Sequence, residues 1–201
     1  MPEQTPTSKL TSEPEVVPAQ PSGAEDPEPL PLQLEVLVGA GRWEAIEPAA
    51  GLVAEIARAM CQWPNLISEK SEATVVLSDD AGVTELNEQF RGHVKPTNVL
   101  SFPADKTFPE ELFDNAEGAV RQLGDIVLAS ETVHREAKST GIPVRHHFQH
   151  LVLHGALHLI GFDHQSDVAA KEMEAIETAI LKTLGIADPY GEEFDSPARQ
   201  S

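Results

Sequence analysis

The chain has little cysteine, few aromatic residues and no long apolar run. Cys61 is the single cysteine in 201 residues, so neither an internal disulfide nor a cysteine-only metal site is available. No apolar stretch approaches the roughly 18 residues of a transmembrane helix, and the N-terminus lacks the charged-then-apolar pattern of a secretory signal. These features predict a cytoplasmic protein with no membrane partner, and we interpret Cys61 as a small core residue.

Positive charge is also scarce. The chain has 14 Lys and Arg residues against 33 Asp and Glu, which gives a formal net charge of −19. Both terminal segments are acidic, and residues 32–184 remain acidic without them. A general nucleic-acid binder usually has a basic surface. No DNA partner is therefore expected, and any contact with RNA must depend on a local basic patch.

Proline is plentiful but unevenly placed. Eight of the 16 prolines lie within residues 1–31, mixed with Glu, Ser and Thr. A segment of this composition cannot bury enough apolar surface to offset the entropy lost on ordering. We therefore predict a disordered acidic extension over residues 1–31, a folded domain over residues 32–184 and a flexible acidic tail over residues 185–201.

Hydrophobic periodicity divides the folded region into strands and helices. Alternating or β-branched runs predict four strands, over residues 32–38, 73–78, 98–102 and 125–129. Helical spacing predicts five helices, over residues 48–60, from the cap Asp79 or Asp80 to Arg91, and over 130–141, 143–160 and 166–184. The order of these elements predicts one α/β (α+β) domain, in which a mixed sheet of about four strands is packed with five helices.

Caps and inward faces complete the predicted fold. Ser130 and Ser166 are predicted to cap the third and fifth helices, and residues 103–123 are predicted to form a long loop. The inward residues of the second helix are predicted to be Val83, Leu86, Asn87 and Phe90. Those of the fifth helix are predicted to be Val168, Met173, Ile176, Ile180 and Leu184.

Five of the eight histidines lie between positions 147 and 164. His154 and His158 are four residues apart, so on a helix their imidazoles point from one face. Gly161 ends that helix and permits the turn that brings back His164. Three neutral imidazoles suit one Zn²⁺ per chain and leave a fourth tetrahedral position open, which is the design of catalytic zinc sites. We predict these three histidines as the ligands, with His150, one turn earlier, lining the site.

The spacing His-x3-His-x2-Gly-x2-His resembles the zinc-binding stretch of the metzincin proteases, so the helix is described as zincin-like. In those proteases a glutamate follows the first histidine and acts as general base. Here that position is Gly155, and peptide hydrolysis would lack its proton acceptor. A protease is therefore disfavoured.

Charged residues outside the histidine helix supply further candidates. Arg91 is interpreted as an anion clamp because its planar fork can hold two phosphate oxygens at once; the alternative is a solvated cation at a helix end. Lys95 is a further candidate for contact with substrate. Asp125 is predicted to be either buried and hydrogen-bonded or part of the site. Asp163 adjoins His164 and is expected to orient that ligand or its turn rather than to act as a base.

Four segments carry a more specific resemblance. They are Leu86-Asn-x2-Phe90-Arg91, Pro96-Thr97-Asn98-Val99-Leu100-Ser101-Phe102-Pro103, Leu123-Gly124-Asp125-Ile126 and His154-Gly155-x-Leu157-His158-x2-Gly161-Phe162-Asp163-His164. This set resembles the bacterial YbeY family of metal-dependent endoribonucleases, which act in rRNA maturation and ribosome quality control. The likeness covers most of residues 32–184, in the family's order; Gly92 and His93 depart from the residues that many members have there.

The resemblance implies a zinc-dependent endoribonuclease with Arg91 and His154 in catalytic roles. It also implies single-stranded RNA as substrate, notably the 3′ end of the small-subunit rRNA precursor, and the ribosome or its small subunit as partner. Two alternatives belong to other classes. One is a zinc metallohydrolase of another substrate; the other is a non-catalytic ribosome-assembly factor whose structural zinc takes a fourth ligand such as Asp163.

Overall fold

The computed structural model describes residues 30–104 and 119–191. The predicted extension over residues 1–31 lies outside the described residues except for its last two, as does the end of the predicted tail from residue 192. Most of the predicted loop over residues 103–123 also lies outside them. Among the described residues, none of the helices combines the length and the hydropathy that crossing a bilayer requires.

Four strands form one sheet in the order β1-β2-β4-β3. β1 and β4 are parallel to β2, whereas β3 is antiparallel to β4. The strands are β1 Leu32–Val38, β2 Ser71–Ser78, β3 Val99–Pro103 and β4 Arg121–Ala129. The helices are α1 Ala49–Gln62, α2 Asp80–Arg91, α3 Ser130–Thr140, α4 Val144–Leu159 and α5 Asp167–Thr183, with one turn of 3-10 helix at Glu44–Ile46. The predicted mixed four-stranded sheet and five helices are confirmed.

The two faces of the sheet are covered by different helices. Ile126 and Leu128 of β4 belong to the larger buried cluster, which includes residues of α1, α4 and α5. The intervening Val127 packs with Val83 of α2 in a smaller cluster. Successive side chains of a strand point to opposite faces, so α4 and α2 lie on opposite sides of β4.

The helix α4 lies at the centre of the larger cluster. Nine of its 16 residues are buried, and they are distributed around the helix rather than along a narrow stripe. A helix that is apolar on most sides is held by contacts with several neighbours at once. These contacts hold the backbone of α4 in place, and with it the starting positions of the side chains that α4 directs toward solvent.

Three predicted details of the helices are wrong. Ser130 does not cap α3: it is the first helical residue, and its Oγ accepts a hydrogen bond from the Arg42 backbone N at 2.9 Å. Phe90, in the last turn of α2, is 60% exposed, and its only ring contact among the described residues is edge-on with Phe102. Val168 is 78% exposed, since it lies in the first turn of α5, before the buried stripe that begins at Met173.

The chain stays in contact with the domain beyond the predicted boundary at Leu184. Ile186 is buried in the larger cluster, and its backbone N donates to the Leu181 carbonyl at 3.0 Å. Asp188 accepts a hydrogen bond from the Thr178 hydroxyl of α5 at 2.9 Å. The structure therefore differs here from the flexible tail predicted from residue 185.

Candidate metal centre

Three histidines converge at the C-terminal end of α4. His154 and His158 project from the same face of the helix, with their Nε2 atoms 3.0 Å apart. His164 lies beyond the turn at Gly161, whose φ of 106° is one that L side chains rarely adopt. The three residues each offer one nitrogen, and these nitrogens all lie within 4.8 Å of one another. The structure thus brings together the three residues predicted as metal ligands.

Hydrogen bonds determine which nitrogen of each helical imidazole is available. Nδ1 of His158 is 2.9 Å from the carbonyl oxygen of Phe162, and Nδ1 of His154 is 2.9 Å from a carboxylate oxygen of Glu177. Both partners are acceptors, so each Nδ1 is placed to donate, and a neutral ring with its proton there would present an unprotonated Nε2. The two Nε2 atoms face each other at 3.0 Å, an arrangement that a shared cation would stabilise. The donor set fits a divalent metal ion.

Burial favours the neutral form of the second histidine. Burial and the neighbouring His154 lower the pKa of His158. A ligand imidazole must be unprotonated at the coordinating nitrogen. The lowered pKa therefore favours the neutral form of the His158 ring, which is the form that can bind a metal ion.

The sequence interpretation missed a buried carboxylate behind the histidines. Glu177 of α5 has no exposed side-chain surface, and it accepts hydrogen bonds from Nδ1 of His154 and Nε2 of His150, both at 2.9 Å. Burial alone would raise the pKa of Glu177, but the bonds from the two histidines outweigh it and lower that pKa to about 2. Position 177 follows Met173 by four residues and precedes Ile180 by three, so an acid within the apolar stripe of α5 was the available signal.

Tyr190 completes the surroundings of this carboxylate. Its hydroxyl donates to Oε2 of Glu177 and lies 3.3 Å from Nε2 of His150. His150 was predicted to line the site; the structure places it behind His154, where its partner is Glu177. His150, His154 and Glu177 also offer ligand atoms close enough for one ion. Glu177 contacts His154 through Nδ1, whereas Nε2 of His154 faces His158, so this group is better described as the support of His154.

An open cavity of about 580 Å³ lies in front of the three histidines. Its other lining residues come from the end of α2, the approach to β3, β3 itself and the turn after α4; they are Arg91, Thr97, Asn98, Val99, Ser101, Pro103, Asp163 and Gln165. Arg91 is exposed, and within the described part of the chain it has no ion-pair partner. Its guanidinium is available to an anion in this cavity.

The remaining candidates lie in different places. Asp163 lines the cavity and accepts a hydrogen bond from the Gln165 backbone N at 3.1 Å, within the turn after α4. Lys95 is exposed and does not line the cavity; its carbonyl accepts from Asn87. Asp125 is also exposed, which contradicts the buried alternative. It lies two residues before Val127, on the face of β4 opposite α4, and therefore away from the histidines.

A second acid behind the cavity was also missed by sequence reasoning. Oε2 of Glu136 on α3 accepts from the Asn98 side-chain amide and is 2.9 Å from Nε2 of His147. Burial raises the pKa of Glu136, but the bonds from His147 and Asn98 outweigh it and lower that pKa. Glu136 therefore joins α3 and α4 to a residue that lines the cavity.

The residue after His154 faces the sheet at close range. A Cβ at Gly155 would lie 2.7 Å from Cγ2 of Ile126 and 3.1 Å from Oγ of Ser101. Ile126 is fully buried and β-branched, so it has little freedom to move aside. A glutamate at this position, as in the metzincins, would not fit without displacing β4.

We expect Gly155→Ala to lower the free energy of unfolding by about 1–3 kcal/mol, because it overpacks the contact between α4 and β4. Denaturant titration monitored by circular dichroism measures this change. Gly51→Ala is the matched control: it adds the same methyl group to a helix, α1, where the nearest atom would be 3.4 Å away. The control should be neutral or slightly stabilising. Equal stability of both variants would show that β4 yields easily.

Comparison with known proteins gives a consistent result. A family model described as Endoribonuclease YbeY matches residues 45–185. A protein named Endoribonuclease YbeY from Parvibaculum lavamentivorans is 48% identical over 165 residues, which are 80% of this chain and 85% of the relative. One of the same name from Rhodopseudomonas palustris strain BisB18 is 43% identical over 82% of this chain and 95% of the relative. The solution structure of TM1509 from Thermotoga maritima shares the fold at a TM-score of 0.52 and 22% identity, covering 84% of this chain and all of that one.

Proposed function

The chain belongs to the YbeY family of endoribonucleases, and from this premise we propose that it is a zinc-dependent enzyme that cleaves single-stranded RNA at the centre described above. The observation that carries the proposal is the convergence of the Nε2 atoms of His154 and His158, 3.0 Å apart, in a cavity that Arg91 also lines. We assign His154, His158 and His164 as the ligands of one ion per chain.

Zinc is the ion that this donor set favours. Three neutral imidazoles without a thiolate or a ligating carboxylate suit tetrahedral Zn²⁺ with one open position. When bound, the ion would supply Lewis acidity, which lowers the pKa of water toward about 7 and polarises a phosphoryl oxygen. Asp163 accepts a hydrogen bond from the turn and is absent from the group of ligand atoms, which supports an open fourth position over a structural zinc.

The residues that line or face the cavity have separate roles in the proposed reaction. Nδ1 of His154 contacts Glu177 and Nδ1 of His158 contacts the Phe162 carbonyl, so Nε2 of each is directed at the reacting centre. Arg91 approaches from the end of α2, where its paired N–H groups can hold two oxygens of a phosphodiester and oppose the charge that develops during cleavage. Thr97, Asn98 and Ser101 add hydroxyl and amide groups to the same wall.

The substrate class follows from the openness of the cavity and from the family. Strand cleavage within a chain needs a site that admits a polynucleotide from the side, and this cavity is bounded by an exposed arginine rather than closed by a loop among the described residues. We propose precursor rRNA of the small ribosomal subunit as the physiological substrate, with roles in its 3′-end maturation and in ribosome quality control. The small subunit is then the partner, and the cytoplasm is the place of action.

A cleavage assay on protein of measured metal content tests this function. Full-length protein containing about one zinc ion per chain is expected to cut a single-stranded RNA internally, and chelation should abolish the cut because the nucleophile loses its activation. Readdition of Zn²⁺ should restore it. A duplex of the same sequence is the control substrate and should be spared. Undiminished cleavage by metal-free protein would contradict the proposal.

A further inference from the structure

We propose that Glu177 is the positioning residue of the metal centre, and that Tyr190 couples this residue to the chain segment after α5. In this scheme, which rests on the proposed metal-dependent function, the buried carboxylate fixes His154 as its Nδ1–H tautomer. The hydroxyl of Tyr190 holds the carboxylate in turn. Affinity for the metal then depends on two residues that do not touch it.

The first step of the argument is the number of donors around the carboxylate. Oε1 of Glu177 accepts from Nδ1 of His154, and Oε2 accepts from Nε2 of His150 and from the Tyr190 hydroxyl. An ionised carboxylate is an acceptor at both oxygens. It is therefore the one side-chain type of this length that can receive both histidines without offering a competing donor.

The second step is the consequence for His154. A ring nitrogen that donates to a carboxylate leaves the other nitrogen unprotonated and aimed in a fixed direction, which raises its basicity toward a metal ion. His158 obtains the same result from the Phe162 carbonyl, a backbone group that side-chain substitution cannot remove. His154 depends on Glu177 alone, so the metal centre has one support that a single mutation can change.

The third step concerns the segment from Leu184 to Gly191. Ile186 is buried in the larger cluster, and Asp188 bonds both Thr178 of α5 and the backbone N of Tyr190. These contacts place the Tyr190 hydroxyl over Glu177, whose side chain has no exposed surface. Displacing this segment would admit water to the carboxylate and loosen its hold on His154.

The experiment compares metal binding by full-length parental protein and by Glu177→Gln. A glutamine can accept from one histidine but must donate toward the other, so some His154 rings would be forced to carry the proton on Nε2. We expect the dissociation constant for Zn²⁺, measured by chelator competition well below the melting temperature, to rise about 10–100-fold. The ¹⁵N shifts of His154 in metal-free protein should show protonated Nε2 in the variant alone, and the visible absorption of the Co²⁺-loaded variant should change.

Two further variants separate positioning from stability. Glu136→Gln is the matched control. Glu136 accepts a hydrogen bond from His147 of α4 at the same 2.9 Å, but it contacts none of the three histidines proposed to bind the metal. It should lower stability without changing zinc affinity or the His154 shifts. Tyr190→Phe keeps both histidine bonds and should weaken zinc binding less than Glu177→Gln does. Glu177→Asp, too short to reach both rings, replaces Glu177→Gln if the latter does not fold.

The outcomes distinguish this inference from the proposed function. Parental protein that binds no stoichiometric Zn²⁺ or Co²⁺ would overturn the proposed function and the inference together. Parental protein that binds the ion, with unchanged affinity and unchanged His154 tautomer in the Glu177 variants, would overturn the inference alone. A role for Glu177 in stability only would appear as a lower melting temperature at parental zinc affinity, which also refutes positioning.

Discussion

Arg91→Ala is expected to reduce the single-turnover rate of RNA cleavage by about 10²–10³-fold while metal content and thermal stability stay at parental values. The reason is geometric: Arg91 is the last residue of α2, it lines the cavity of the three histidines, and no carboxylate of the described chain pairs with it. Its guanidinium is free to meet charge that develops on the phosphodiester. Rapid-quench cleavage at saturating RNA measures the effect.

Two companion variants sharpen the interpretation of this loss. Arg91→Lys should recover little activity, because a point charge cannot reproduce a bidentate fork. Arg58→Ala removes the same charge from an exposed position on α1, outside the cavity, and should cleave at the parental rate. Full recovery of Arg91→Ala at saturating RNA would instead assign Arg91 to ground-state binding.

His158→Ala is expected to lose the metal ion and RNA cleavage together. One of the two facing Nε2 atoms disappears, and the remaining His154 and His164 form an incomplete set for tetrahedral zinc. Bound ligand stabilises the folded state, by about 2.7 kcal/mol when its free concentration is about 100 times the dissociation constant. Added Zn²⁺ should therefore raise the melting temperature of the parental protein by several degrees and leave that of the variant unchanged.

The control for this prediction is a histidine on the same helix. His146→Ala changes the first turn of α4, far along the helix from His158, and should retain about one zinc ion per chain and full cleavage. Metal analysis and cleavage rates must come from the same preparations. Stoichiometric zinc in a variant that lacks both His154 and His158 would refute the assigned ligand set.

Much of the candidate metal centre was predictable because it is local in sequence. Four-residue spacing places His154 and His158 on one helix face, and Gly161 permits the turn to His164; both relations depend only on backbone geometry. The sheet was predictable for the same reason, since each strand shows its own apolar pattern. The order of the strands within the sheet was not predictable, because the pairing of β2 with β4 joins residues about 50 positions apart.

The supporting residues were harder to predict because their roles arise from tertiary contacts. Glu177 reaches His154 only when α5 packs on α4, and Tyr190 reaches Glu177 only when the chain after α5 folds back. An acid-rich composition near residue 185 predicted a flexible tail, whereas burial of Ile186 attaches that segment to the core. Asp125 illustrates the opposite error: it lies in one of the segments that resemble the family, yet strand alternation turns it away from the histidines.

The turn at Gly161 has a kinetic consequence for the three proposed ligands. His154 and His158 stand on a helix with nine buried residues, whereas His164 is exposed and lies on a connecting segment. Such segments fluctuate on nanosecond to microsecond times, far faster than packed helices shift. Exchange of the ion with solution is thus expected to begin with departure of His164, so that residence time is set by the turn while selectivity is set by the helix.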